Sequence, residues 1–345
     1  AEIQLLRLAK GLNEKHNFKP HFVFIGNGKQ EEYFSMLGDI EYTCFAKPKS
    51  VLGFIGTIVS LVILMNKKRI VGVISFLDSP SMFTSIAKEF CVFCKFHIWG
   101  IRNSKFSFVK NFFYRTAYNR ADILVSNSET SLKNFINYMG NKGKQTAVIY
   151  NGIEIRTEQH LISAKKDDNR VSFCMLASNR RKKRYDLFLK SITFLIKKGV
   201  TNFKVIIAGR DTNDLLHKDS FDELKNFVAC LGHVEYVEKL IQECDFCVLI
   251  SDHEGQSNSI LEYMAYGKAV VATRLPEIIE MVSEDNVSVL VENDVEKISE
   301  KLELMIRNPS LRGNIGASNR VHFVSNFSLD KMVSAYSNLI LPRLE

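Results

Sequence analysis

The stretch CDFCVLISDHEGQSNSILEYMAYGKAVVAT (Cys244–Thr273) decides how this chain folds. Its first eight residues are apolar enough for a buried strand, and Glu254 and Gly255 follow as a polar turn. A helix is expected to start between Ser257 and Ser259 and to stop at Gly267, where AVVAT (269–273) supplies the next strand. Strand, turn, helix, strand is the βαβ order, which requires a parallel sheet covered by helices.

The same alternation extends outward to both ends. HFVFIG (21–26), VGVISF (71–76), ILVSNS (123–128) and AVIY (147–150) read as strands in the first half. VSFCMLA (171–177), KVIIAG (204–209), AVVAT and VSVLV (287–291) do so in the second, with helical spacing between them, as at Leu187, Leu189, Ile192, Leu195 and Ile196. The predicted class is α/β, with two Rossmann-like, doubly wound parallel-sheet domains. At 345 residues one core has stopped growing, so two domains of roughly 150–180 residues are expected. The polar run SAKKDDNR (163–170) separates the two series. It sets the expected domains at 1–168 and 169–327, with 328–345 as a C-terminal helix, capped by Ser328, that returns toward the N-terminal domain.

Composition narrows the class further. With 46% hydrophobic and 24% charged residues, disorder, collagen-like repeats and a disulfide scaffold are excluded. The net charge of +8 is unevenly placed: residues 1–168 carry +9 and the remainder −1. A basic half attracts nucleic acid, anionic lipid or a phosphorylated substrate, and charge alone does not choose among them. The opening AEIQLLRLAKGLNEK is amphipathic rather than a signal peptide, and seven cysteines is an odd number. Reduced thiols and a cytoplasmic location, with contact at the cytoplasmic face of a membrane, fit best. Cys91/Cys94 and Cys244/Cys247 form two Cys-x-x-Cys pairs, but the strand-like surroundings of the second argue against a zinc site, and no metal is expected.

Residues 51–65, VLGFIGTIVSLVILM, form an uncharged run flanked by Lys47 and Lys49 before it and Lys67, Lys68 and Arg69 after it. Fifteen residues fall short of the ~20 a membrane span needs. A helix covering the sheet is the favoured reading; an apolar face in a lipid boundary with basic flanks on anionic headgroups is the other.

The chemistry is expected in the loop and helix after CDFCVLIS. Ligands of parallel sheets sit beyond the carboxyl ends of strands, where a helix N-terminus offers free N–H groups to phosphate. Glu254 in the loop and Glu262 on the helix can then serve a sugar hydroxyl and a ribose respectively. A helix also favours acidic residues near its start, so Glu262 has a purely structural reading as well. The two do not read as a hydrolase pair, which would flank one bond.

Glu254 and Glu262 fit the Glu-x7-Glu pattern, and EGQSNSILEYMAYGKAVVAT resembles the donor-site block, of the retaining family-4 glycosyltransferases of GT-B fold. VIYNGIE (148–154), ADILVSNS (121–128), LPEIIE (275–280) and the initial AEIQLLRLAKGL are similar to further family segments in the same order. The resemblance implies a nucleotide-sugar donor bound by the second domain and an acceptor bound by the first. It assigns Glu254 to the donor sugar, Glu262 to the ribose, and the N–H groups of Ser259 and Ile260 to the diphosphate, with Gly255, Gln256, Ser257 and Asn258 completing the donor set. It places Lys183 on the diphosphate. The family's Arg, five residues earlier, is replaced by Ser178, so Arg180 or Arg181 is the candidate guanidinium. Arg, Lys and a helix dipole would stabilise charge on the leaving oxygen, and the sequence has no Asp-x-Asp pair, so a metal-independent reaction and no cofactor are expected. The family's front-face displacement lets the leaving phosphate deprotonate the acceptor, so no protein base is required.

In the first domain, FHIWGIRNSK (96–105) is expected as a loop facing the site, with two family-like candidates, Arg102 as a catalytic residue and Asn103 lining the acceptor side. His97 belongs to the same loop, though a lone His beside Phe96 and Trp99 also reads as packing. Asp78, Asn127 and Ser128 lie at carboxyl ends of strands and are candidates to line the acceptor side; Asp78 has an alternative helix-capping reading. The family would precede Ala1-Glu2 with a strand and a Gly-rich turn, and has a Gly-containing loop where Arg274 meets Leu275, so absent loops and a break there are expected.

The predicted function is transfer of a hexose or N-acetylhexosamine, from UDP by default, to a hydroxyl of a glycan or polyprenyl-linked glycan, with peripheral membrane contact and no nucleic acid partner. A GT-B-like partner subunit without activity and a basic nucleic-acid-binding protein are the alternatives. Dehydrogenase and P-loop readings fail, because Gly26 and Gly28 lack a third glycine and Gly267-Lys268 lacks the motif around it.

Overall fold

The computed structural model describes residues 2–26, 31–102, 112–155, 170–216 and 219–344. The chain divides into two compact units, one of residues 1–153 with 328–345 and one of residues 154–327. The boundary expected at 168 lies outside the described residues.

The first unit runs α1 (Glu2–His16), β1 (Phe22–Ile25), α2 (Glu31–Leu37), β2 (Tyr42–Phe45), α3 (Val51–Lys67), β3 (Gly72–Phe76), α4 (Asp78–Lys88), β4 (Phe96–Ile101), α5 (Phe112–Arg120), β5 (Ile123–Ser126), α6 (Glu129–Met139) and β6 (Gln145–Val148). β1 and β2 pair in parallel, and β3-β4-β5-β6 form a four-stranded parallel sheet in that order. The segment expected as a loop at 96–105 thus begins with a strand whose six residues are all buried. Strand alternation explains why: Phe96 and Ile98 join one core with Leu8, Phe76 and Tyr336, while Trp99 and Ile101 join another with Tyr118 and Phe135. A strand covered on both faces is apolar throughout, so its alternation is invisible in sequence.

The second unit runs β7 (Val171–Leu176), α7 (Tyr185–Lys197), β8 (Phe203–Ala208), β9 (Val228–Cys230), α8 (Val237–Glu243), β10 (Phe246–Leu249), α9 (Asn258–Ala265), β11 (Val270–Ala272), α10 (Pro276–Ile279), α11 (Val295–Arg307) and α12 (Pro309–Asn326). Its parallel sheet has the order β11-β10-β7-β8-β9. Phe173 of β7 stacks on Phe246 of β10, ring centroids 4.6 Å apart, and Phe188 of α7 closes on Phe173 edge-on. Cys174 and Cys247 occupy matched positions on these strands as buried thiols, Sγ to Sγ 3.6 Å. VSVLV is not a strand. Asp285–Val289 is a 3-10 helix, and only Val291 makes a parallel bridge, to Thr273.

The last helix, α13 (Leu329–Ile340), belongs to the first unit, where Met332, Val333, Tyr336 and Ile340 pack with Leu8 and Leu12 of α1. Arg274 and Leu275 are joined without the expected break: the Leu275 N–H donates to Thr273 O at 2.8 Å across a tight turn.

Candidate active site

The second sheet starts at β7 and grows outward on one side through β8 and β9 and on the other through β10 and β11. Loops leaving β7 and β10 therefore diverge, which opens a crevice beyond their carboxyl ends. Lys183 comes from the loop after β7 and Glu254 from the loop after β10. Lys183 Nζ donates to Glu254 Oε1 at 2.5 Å, and their side chains are only 13% and 7% exposed. Ser251 Oγ donates to the same carboxylate oxygen.

Backbone and side-chain ties hold the two loops in register. The Asp252 N–H donates to Lys182 O at 2.8 Å, and the Arg184 guanidinium reaches Asp252 (2.9 Å) and Asp186 (3.0 Å). Arg184 holds φ at +23°, so these carboxylates fasten a backbone that a side-chain-bearing residue seldom adopts. Asn293 donates to Ser251 O at 3.0 Å and accepts from Thr273 Oγ1 at 2.7 Å, while Thr273 Oγ1 accepts from the Ser251 N–H. Burial lowers the Lys183 pKa and Lys182 and Arg180 add to that, against the opposing pull of Glu254.

Helix α9 brings its N-terminus to the same edge. Ser259 Oγ donates to Leu176 O at 2.7 Å, and fully buried Tyr263 accepts from the Leu176 N–H at 2.8 Å and donates to Val248 O at 3.4 Å. One helix is thereby bolted to the ends of both strands that carry the crevice. The N-cap Ser257 makes no side-chain bond to the first turn, which contains Asn258, Ser259 and Ile260. Gln256 and Ser257 are buried, Gly255 is partly so, and Glu262 stands one turn into α9.

Residues 170–308 match the profile of the family described as "Glycosyl transferases group 1". A curated relative from Campylobacter jejuni, N,N'-diacetylbacillosaminyl-diphospho-undecaprenol alpha-1,3-N-acetylgalactosaminyltransferase, is 27% identical over 257 residues. Residues 170–308, which hold Lys183, Glu254 and Glu262, are a group 1 glycosyltransferase segment. That alignment covers 70% of this chain and 67% of the relative, so the chain spans about two thirds of its length. A glycosyltransferase from Rickettsia africae superimposes with a TM-score of 0.81 at 17% identity, covering 100% of this chain and 95% of that one. Anabaena HepE, crystallised with UDP and glucose, gives 0.79 at 16% identity, covering 99% and 95%. These likenesses show the fold, which is GT-B.

The remaining candidates are distributed as follows. Arg180 and Arg181 are exposed and line a cavity of 590 Å³ with Arg184, Asp186, Asp214 and Asp252. Glu254 and Glu262 are not among that cavity's described lining residues, so the two arginines face a recess beside the Lys183–Glu254 pair. Asn103 lies outside the described residues.

Within the first unit, Arg102 donates to Tyr336 Oη at 2.7 Å and Asn151 Oδ1 at 3.2 Å and lies 3.6 Å over the Phe76 ring. Burial lowers its pKa. His97 is wholly buried: Nε2 meets Ser75 (2.6 Å) and Thr84 (3.0 Å), and Nδ1 meets Ser85 (2.8 Å). Desolvation pushes its pKa down to about 3, so it is a neutral packing histidine with both ring nitrogens occupied. Asp78 does not cap α4, whose N-cap is Leu77; its carboxylate accepts from Tyr114 Oη at 2.9 Å, and burial raises its pKa. Ser128 caps α6 through the Ser131 N–H at 3.0 Å. Asn127 is buried and its Oδ1 meets no donor.

Sequence reasoning missed the residues that fasten the loops: Ser251, Asp252, Tyr263, Thr273, Arg184 and Asn293. Asn293 lies 42 residues beyond its partner Ser251, and no spacing in the sequence announces it.

Proposed function

We propose that this glycosyltransferase moves a hexose or N-acetylhexosamine, with retention of configuration, from a nucleoside diphosphate, preferably UDP, to a hydroxyl of a lipid-linked glycan at the cytoplasmic face of a membrane. The Lys183–Glu254 pair at the strand-order reversal, beside the first turn of α9, carries this reading. The Campylobacter relative's lipid-diphosphate acceptor and the basic first half of the sequence support the acceptor class.

The carbon–oxygen bond between sugar and diphosphate breaks with negative charge gathering on the phosphate oxygen. Lys183 and the N–H groups of Ser259 and Ile260 stabilise that charge, with Arg180 or Arg181 as the second cation. Glu254 accepts hydrogen bonds from donor sugar hydroxyls and Glu262 from the ribose. The acceptor hydroxyl attacks on the face the diphosphate leaves, and its proton passes to the departing phosphate. No protein base and no metal take part. Asp78, Asn127 and Ser128 serve the acceptor side.

Calorimetric titration with UDP, GDP, ADP and CDP, against the parent protein and Glu262→Ala, tests the donor site. Selective binding of one nucleotide that weakens in the variant is expected. NMR of the first product formed in a transfer assay then reads the anomer, and an inverted product overturns retention. Ser178 in place of the family's Arg favours a second reading, a partner subunit without activity. Folded protein that binds none of the four nucleotides would support that reading instead.

A further inference from the structure

Helix α3 is apolar on two opposite faces, and only one of them is covered. Leu61 and Met65, with Phe54 and Ile58 beside them, pack on Phe83 and Ala87 of α4. The opposite face carries Leu52 (81% exposed), Ile55, Val59 and Ile63 (61% exposed), spaced three or four residues apart and preceded by exposed Val51. Gly56 lies on this side with open space around it. A helix apolar on all sides is ordinarily buried on all sides, so this face has an occupant.

The loop after α4 continues the patch. Asn66 near the end of α3 donates to Phe90 O at 3.3 Å and accepts from the Val92 N–H at 2.9 Å, which fixes exposed Phe90 and Val92 beside the helix terminus. Arg69 lies over the exposed Phe93 ring at 5.7 Å. Charge then selects the occupant. Residues 46–72 contain five basic residues, Lys47, Lys49, Lys67, Lys68 and Arg69, and no acidic residue; of these, Lys68 also pairs with Glu41 at 2.5 Å. These bases stand at both ends of the apolar stripe, whereas α3 itself is uncharged before Lys67.

We infer that α3 and the Phe90–Phe93 loop form a docking surface for an anionic bilayer, the stripe entering the headgroup boundary and the flanking bases meeting acidic lipid headgroups. At seventeen residues, about 25 Å, the helix is too short to cross and lies along the surface. No helix among the described residues is long and apolar enough to cross a membrane. The covering helix expected from residues 51–65 is therefore a helix with one face on α4 and one face for lipid.

Sedimentation with phosphatidylcholine vesicles, with and without about 30% phosphatidylglycerol, tests this surface. The variants are Leu52→Glu with Val59→Glu, and Lys67→Glu with Lys68→Glu and Arg69→Glu, each checked for an unchanged melting temperature. Binding to anionic vesicles that falls about tenfold or more in either variant, and weakens with salt, is expected. Undiminished binding in either variant, equal binding to the neutral vesicles, or no binding by the parent overturns the inference. So does a dimer that the Leu52/Val59 variant abolishes, since a second copy would then be the occupant. The assay contains no donor nucleotide, so its outcome is independent of the proposed reaction.

Discussion

Lys183 Nζ meets Glu254 Oε1 at 2.5 Å across 71 residues of sequence, and the loops that carry them are stitched by Asp252 to both Lys182 and Arg184. In the proposed reaction the pair acts as one unit, the carboxylate holding the ammonium toward the leaving diphosphate and the ammonium aiming the carboxylate at the sugar. Glu254→Gln keeps the size and an acceptor oxygen but removes the charge. Transfer should fall by about 10²–10³ in kcat with circular dichroism unchanged. A rate within tenfold of the parent would refute the assigned role.

Glu262→Ala should weaken nucleotide binding by about 1–3 kcal/mol, the loss of charged hydrogen bonds to ribose hydroxyls. The same substitution should affect 2'-deoxy nucleotides much less. Equal weakening of both would show that Glu262 acts on something other than the ribose.

Tyr263→Phe should cost about 1–3 kcal/mol in urea unfolding, because the buried Leu176 N–H loses its acceptor. Since Tyr263 also ties α9 to β10 through Val248 O, nucleotide affinity should drop as well. A stable variant that binds like the parent would mean α9 is held mainly by packing.

Gly209 follows β8 with φ at +149°, and a Cβ there would sit 2.1 Å from Ala177 O. Gly209→Ala must displace the strand end that leads into the Lys183 loop. A loss of at least about 2 kcal/mol is expected, with reduced transfer. Parent-like melting would show that the two strand ends part easily.

His97 gives the fold an acid limit. Its folded pKa is about 3 against 6.5 for the free side chain, so above pH 6.5 both states are neutral and nothing is lost. As pH falls from 6.5 toward 3 the unfolded chain takes the proton, and stability declines by about 1.4 kcal/mol per pH unit. His97→Gln should flatten the melting temperature across that window; an unchanged slope would assign the acid sensitivity to other groups.

Much of the second unit was legible because its strands are bounded by polar turns and its helices have clear 3.6-residue spacing. The loop and helix from Glu254 to Glu262 fell where the sequence placed them. β4 was not legible, because a strand buried on both faces has no alternation and His97 and Arg102 gave FHIWGIRNSK a polar look. VSVLV misled in the opposite direction: Val289, Leu290 and Val291 are buried by helical turns and a single bridge rather than by a ladder. The exposed face of α3 was open between two readings, since hydrophobicity reports a need for cover and not what supplies it. The ties among Arg184, Asp252, Ser251 and Asn293 join distant segments through ordinary polar residues, which no local pattern distinguishes.

The return of α13 to the first unit orders events during synthesis. The second unit is an uninterrupted stretch, so a ribosome delivers all of it before α13 emerges. The sheet of the first unit and α1 are made earlier, yet Leu8 and Leu12 find Met332, Val333 and Tyr336 only after the whole second unit has been synthesised. Gly11 waits for Val333 in the same way, its bare Cα leaving room for that side chain's methyl groups. The nascent chain thus holds an early unit with an uncovered apolar flank while a later unit completes itself, and loss of residues 328–345 would strand the first unit rather than the second.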